Sequence, residues 1–229
     1  MNKKTFIVLS LLCLSAIFLY WKLENKPKPY STEITSKAVN VLEDPTQILY
    51  ESETPLLFSK AGGFQVLAIA EYKISGKALA IKINGEYSDV HTPNKSIYPI
   101  DIGLIWGDVA ESDYDKYIKY HHKSDPNWGS MVKSNQALII DWKKDLPKKW
   151  TKDYVLNHIS NNHIIPDSEN VYNAICNLKQ GEKVAMQGYL VKTIWTKSGH
   201  SGSSSLSRAD SDCENFYVKR VQIENKIYE

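Results

Sequence analysis

The chain has 229 residues, of which 42% are hydrophobic and 24% charged. Those proportions suit one globular domain, with or without a tail, and exclude wholesale disorder and a polytopic membrane protein. The formal net charge of +2 matches two lysines, Lys3 and Lys4, that precede the first apolar run. The rest of the chain is charge-balanced. That argues against general nucleic-acid binding, which needs many phosphate-neutralising Lys and Arg side chains.

Residues 5–21 read TFIVLSLLCLSAIFLYW, without a charge. As a helix this run would be about 25 Å long, enough for a short transmembrane span. Ser15 and Ala16 lie inside the apolar run and bulky residues follow them, so no small-x-small cleavage site closes it. Tyr20 and Trp21 suit the membrane–water interface. The segment reads as an uncleaved signal anchor. Residues 1–4 then form a cytoplasmic tail, and the body stands outside the cytoplasm on a single pass through the cytoplasmic membrane. Cys13 follows Leu12, not the small residue that precedes a lipoprotein cysteine. Residues 22–60 read as linker and lead-in. They open on the proline-containing NKPKPYST of 25–32 and hold strand candidates near 38–42 and 48–50. Residues 61–229 form the extracytoplasmic, β-rich domain.

In that domain, Gly62-Gly63 marks a turn, and 64–83 is the clearest strand. Its apolar face is expected to swap across Gly76, as at a bend or bulge. Residues 97–109 read as a buried strand interrupted at Pro99 and ending at Trp106-Gly107. Tyr114, Tyr117, Ile118 and His121 have helical spacing, which predicts a short helix over 113–121. Residues 124–129 form a loop and 137–142 a short strand. A weak helix is expected over 153–160. A better one starts with Ser168 as N-cap and stops at Gly181. Residues 183–195 form a strand bent at Gly188, 196–204 a loop, and 216–224 the final strand. The expected class is α+β: a small, mostly antiparallel β-barrel with one or two helices. A five-stranded OB-like barrel with a helix before its fourth strand is one arrangement that fits.

Five stretches, taken together, resemble a widespread family of uncharacterised bacterial envelope proteins with an N-terminal apolar segment. They are Tyr72-x-Ile74-x-Gly76, Pro99-x-Asp101-x-x-Leu104-x-Trp106-Gly107, Asn162-His163-Ile164-Ile165-Pro166, Gly181-x-x-Val184-x-x-x-Gly188-Tyr189-Leu190-Val191, and Ser204-Ser205-Leu206-Ser207-Arg208-x-Asp210 with Cys213-Glu214. The family motifs look like SPvDLaLGWG, NMHLIPA, GYLV and SSLtRtDTGxGACE. The resemblance runs from about residue 57 to the C-terminus. It implies an envelope location and brings no activity with it. Ile97-Tyr98 replaces the family's Leu-Ser, and Ser211-Asp212 replaces its glycine-containing turn.

The binding candidates are Asp101, Trp106, Asn161, Asn162, His163, Ser205, Arg208, Asp210, Cys213 and Glu214. Asn161, Asn162 and His163 are expected in a loop between two helices, either facing a cleft or bonding to nearby backbone. Cys213 could act as a nucleophile if His163 reached it, because thiol chemistry needs a thiolate made by an adjacent base or positive field. Arg208 could hold an anion or pair with Asp210 or Glu214. Cys176 and Cys213 could instead form a disulfide in an oxidising compartment. No metal is expected. His158 and His163 lack helix-face spacing, His121 and His122 point apart, and no CxxC or HExxH occurs. No cofactor motif is found either. The basic stretch 142–150 between two tryptophans reads as a solvated loop or a contact for anionic lipid.

Three functions fit this reading. The first is a membrane-anchored binding or accessory module, with another envelope protein as the partner class. The second is an envelope enzyme, thiol-dependent or hydrolytic, using Cys213, His163 and Arg208. The third is an OB-like oligosaccharide or nucleic-acid binder, with nucleic acid disfavoured by the balanced charge.

Overall fold

The computed structural model describes residues 13–17, 20, 35–59, 63–91, 97–124, 136–206 and 213–229. Of the expected anchor over 5–21, residues 13–17 and 20 are described, and they are helical; the rest lies outside the described residues. Among the described residues, no helix is long and apolar enough to cross a membrane.

The fold is α+β and mostly antiparallel. Among the described residues, ten strands run in chain order: β1 (Thr46–Ser59), β2 (Phe64–Ile83), β3 (Ile100–Ile105), β4 (Ile118–Ser124), β5 (Gln136–Trp142), β6 (Ile159–Pro166), β7 (Lys183–Trp195), β8 (Ser201–Ser203), β9 (Cys213–Ile223) and β10 (Lys226–Tyr228). Short helices of the β-rich domain are α1 (Gly107–Ala110), α2 (Lys152–Leu156) and α3 (Glu169–Cys176). Strand β2 pairs with β7 over Phe64–Lys77, while its first half also pairs with β1 and its last residues, Lys77–Ile83, pair with β3. Strand β3 pairs with β6, β6 with β9, and β9 with β7. Five strands thus follow one another in a closed circuit of pairings. All of these are antiparallel except β6–β9, which is parallel. Strands β4 and β5 form a separate hairpin.

Alternation sorts the side chains of the circuit. Ala70, Tyr72 and Ile74 of β2, Ile100, Ile102 and Leu104 of β3, Ile164 of β6, Met186 and Leu190 of β7, and Phe216 and Val218 of β9 form one apolar cluster. Val171, Ala174 and Ile175 of α3 join it. The Ser168 hydroxyl caps α3 as the sequence predicts, accepting from the Val171 N–H at 3.1 Å. Two further clusters lie on the opposite face of β3 and β6. One gathers Ile105, Ile159, Val109 and Ile118. The other gathers Tyr98, Ile165, Tyr217 and Val191. The polar site lies between them.

Several expectations are corrected. The helix expected over 113–121 is a 3-10 turn, Tyr114–Lys116, followed by β4. Tyr114 and Ile118 are both buried in one cluster, and aromatic and β-branched residues fill a paired strand as readily as a helix face. The face swap in β2 comes at the bulge between Ala78 and Ala80, two residues beyond Gly76. Helix α2 ends at Leu156, before the expected 160, and α3 ends at Cys176, well before Gly181. Gly181 instead makes the turn into β7 at φ +84°. The lead-in contributes to the domain: β1 pairs with β2, and Val39 and Val41 are buried. Gly188 sits at a register shift between β7 and β9, where a Cβ would lie 2.0 Å from the Tyr217 carbonyl oxygen.

Candidate functional site

Residues 159–166 are the main correction at the site. They form β6, a central strand buried at every residue, and not an inter-helical loop. Both of its faces are covered, so its polarity does not track exposure to water. Asn161, His163 and Ile165 share one face, while Ser160, Asn162 and Ile164 share the other.

Asp101 on β3 is wholly buried and lies opposite His163 in the β3–β6 register. Its Oδ1 is 2.5 Å from His163 Nδ1. Its other oxygen accepts from Asn84 Nδ2 at 2.7 Å. His163 is only 7% exposed. Burial opposes its imidazolium form, but the hydrogen bonds and charges of Asp101 and Cys213 outweigh that and push its pKa up to about 10. Asp101 occupies Nδ1, leaving Nε2 as the ring's other polar atom. The Tyr98 ring packs against the imidazole at 5.6 Å.

Cys213 opens β9 opposite Asn161 in the parallel β6–β9 register. Cys213 and Cys176 are half-buried and Cys13 is exposed, and all three are free thiols in this structure. Asn161 Nδ2 donates to Cys213 Sγ at 3.4 Å. Asn161 Oδ1 is 3.0 Å from His122 Nε2 on β4. Burial holds the His122 pKa below its ordinary value. Asn84, Asp101 and His163 form one hydrogen-bonded run and Cys213, Asn161 and His122 another, and the two make one string of polar groups because Asn161 and His163 share a face of β6 and Cys213 acts on the His163 imidazole.

The hairpin is seated where it can supply His122. Leu138 on β5 and His122 on β4 are register partners, as are Gly103 on β3 and Asn161 on β6. Leu138 rests on Gly103 so closely that a Cβ there would come within 2.9 Å of it. Leu138 on Gly103 brings His122 onto Asn161.

Other candidates are placed elsewhere. Trp106 is core and donates to Asp44 Oδ1 at 3.2 Å. Asn162 donates to Ile102 O at 3.3 Å and Ser160 Oγ at 2.9 Å, and its Oδ1 has no partner among the described residues. Glu214 is buried with the Ser204 hydroxyl, which also accepts from the Asn215 N–H at 3.1 Å. Ser205 follows, half-buried. Arg208 and Asp210 lie outside the described residues. His158 stacks on Tyr154 at 4.1 Å, away from the string. Among the described residues, no group of three His, Cys, Asp or Glu side chains could hold a metal. In the basic stretch, Lys149 sits 4.4 Å from the Trp150 ring and Lys152 5.2 Å from the Trp142 ring. Sequence reasoning missed Asn84 and also His122, which was set aside with its neighbour. The expectation that His121 and His122 point apart holds, since only His122 faces Asn161 while His121 lies near Asp141.

Comparison with family models, with curated proteins and with solved structures finds no match to this chain.

Proposed function

We propose that this protein is a membrane-anchored, extracytoplasmic domain whose Cys213 is a nucleophile served by His163 and Asp101. The observation that carries the reading is the order of contacts. A buried carboxylate holds Nδ1 of the imidazole, and Cys213 lies close enough to act on the ring and raise its pKa. That is the nucleophile–base–orienter logic of acyl-transfer sites. The raised imidazole pKa keeps His163 charged beside Cys213 at neutral pH. Arg208, expected at this site from sequence, is not needed for it.

The chemistry is attack by the Cys213 thiolate on the carbonyl carbon of an ester or amide. The C–S bond forms and the carbonyl π pair moves to oxygen. Collapse of that oxyanion breaks the bond to the leaving group, which takes its proton from the His163 imidazolium. Water, deprotonated by His163, then hydrolyses the thioester and regenerates the thiol.

The closed strand circuit, the parallel β6–β9 pair and α3 between β6 and β7 support an OB-like barrel. The apolar run of 5–21 and the lysines before it support the anchor and its orientation. The envelope-family resemblance gains support from where its motifs meet. Asp101, His163 and Cys213 come from three separate motifs and lie together.

The test is acylation of the full chain, in detergent micelles, by p-nitrophenyl acetate. The expected result is a burst of nitrophenol and an acetyl group on the Cys213 peptide, both lost in C213S. No acyl group on Cys213, with a thiol midpoint near the ordinary value of about 8.5, would overturn the reading.

One observation favours a second reading, an oligosaccharide-binding module. The string lies on one face of β3 and β6, and OB-like barrels take their ligands on the face of their second and third strands. Saccharide-induced shifts of the Asn161 and His163 amide signals, with no acylation of Cys213, would favour it.

A further inference from the structure

We propose that His122 is a positioning residue: it grips the side-chain carbonyl of Asn161 so that the amide NH2 faces Cys213, making Asn161 the donor that meets negative charge at the sulfur. This rests on the thiol reading above and deepens it.

The two ends of an Asn amide are chemically opposite, and only one orientation presents a donor to the sulfur. Here Nδ2 is 3.4 Å from Sγ, while Oδ1 lies 3.0 Å from His122 Nε2. An N–H on Nε2 donates to that oxygen and fixes the amide. A proton on Nδ1 instead would make Nε2 an acceptor. The amide would then turn over and set an oxygen against the sulfur, which repels a thiolate.

The surroundings of His122 narrow its states to the two neutral tautomers. Burial opposes its protonation, so the ring is neutral at pH 7 with a single N–H. The charged or titratable groups facing it are Asp101 on β3, Lys82 on β2 and His163 on β6. Its placement is built in, because Leu138 seats the hairpin on side-chain-free Gly103 and His122 is the register partner of Leu138. Position 122 thus bears on Cys213 through one side chain, with no contact to the sulfur required.

The first experiment reads the tautomer of His122 in the full chain by two-bond 1H–15N correlation at pH 7. The Nε2–H neutral pattern is expected, and the Nδ1–H pattern would overturn the proposal. The second follows iodoacetamide alkylation of the Cys213 peptide against pH. H122F should raise the thiol midpoint by about one unit and slow alkylation at pH 6 by roughly tenfold. H122Q, whose NH2 can donate to the same carbonyl, should restore the rate to within about threefold. H122E accepts only, so it should turn the amide over and be at least as slow as H122F. Equal rates for H122F and H122Q would overturn the proposal. The Cys176 rate in the same sample reports whether each variant keeps its fold. The tautomer readout does not depend on any reaction at Cys213. A wild-type midpoint near 8.5 with an Nε2–H His122 would therefore sink the nucleophile and leave the amide orientation standing.

Discussion

Replacing Asp101 by Asn removes one charge and almost no volume, so its effect isolates the ion pair with His163. The pair is buried on both sides, Asp101 at 0% exposure and His163 at 7%. The imidazole pKa is raised from 6.5 to about 10 by Asp101 and Cys213 acting against burial. A raised folded-state pKa stabilises the protein fully below the unfolded value and loses that contribution as pH climbs through the folded one. The contribution is therefore complete at pH 6 and fades between about 6.5 and 10. A shift of this size corresponds to roughly 4–5 kcal/mol, which agrees with the about 3–5 kcal/mol lost when one partner of a buried pair is removed. Urea unfolding of wild type and D101N, as full chains in the same detergent, should differ by about 3–5 kcal/mol at pH 6. The gap should narrow steadily towards pH 10. Taking the difference cancels the other titrating groups. A gap that stays constant from pH 6 to 10 would refute the ion pair, because a merely steric loss has no reason to titrate.

The same site makes a kinetic prediction. H163Q should slow iodoacetamide alkylation of Cys213 at pH 7 by tenfold or more, about one unit of thiol pKa. Cys176 should be slow in both proteins, since burial pushes its thiol up to about 11. Site-resolved mass spectrometry reads both, and equal Cys213 rates would count against the pair. At the β7–β9 bulge, G188A places a Cβ against the Tyr217 carbonyl. It should cost about 1–3 kcal/mol or more in a thermal melt. S168A removes the cap on Val171 N–H and should cost about 1 kcal/mol. Deleting residues 1–21 should release the protein from membranes in a fractionation, while the undeleted chain stays in the pellet.

The elements whose two faces differ were legible in the sequence. Residues 183–195 read as a strand and are β7 to the residue, and Ser168 was placed correctly as a cap. The order of strands, helix and two strands also suggested the closed circuit. Strand β6 was not legible, because periodicity reports a contrast between core and water, and this strand has none. Its polar residues face neighbours that satisfy them: Asp101 for His163, His122 and Cys213 for Asn161. Those partners come from β3, β4 and β9, between 39 and 62 residues away. Cys213 and His163 could be named from chemistry alone. Asp101 could be named from its motif but not joined to them. Asn84 and His122 carried no local signal, since each acquires its role only when a turn and a hairpin close over the sheet.

The charge count of the string explains its ends. In the thiolate state it holds two anions, Asp101 and the Cys213 sulfur, with one imidazolium between them. A single buried cation cannot neutralise both, and the remaining negative charge is costly out of water. Each anion, however, has an amide donor on its far side. Asn84 Nδ2 lies 2.7 Å from the Asp101 carboxylate, and Asn161 Nδ2 lies 3.4 Å from the sulfur. Hydrogen bonds to charged groups contribute about 1.5–3 kcal/mol each, enough for the two amides to offset much of the surplus. The consequence reaches the choice of substrate. Under the thiol reading the string itself carries one surplus negative charge, Lys82 beside His122 apart, so phosphate and carboxylate electrophiles should be disfavoured against a neutral acyl group. Acylation by a neutral nitrophenyl ester should therefore outpace that by an otherwise matched ester bearing a carboxylate beside the carbonyl. N161D adds a further negative charge and should widen that preference, and a preference unchanged in N161D would show that the amide does not face the reacting carbon.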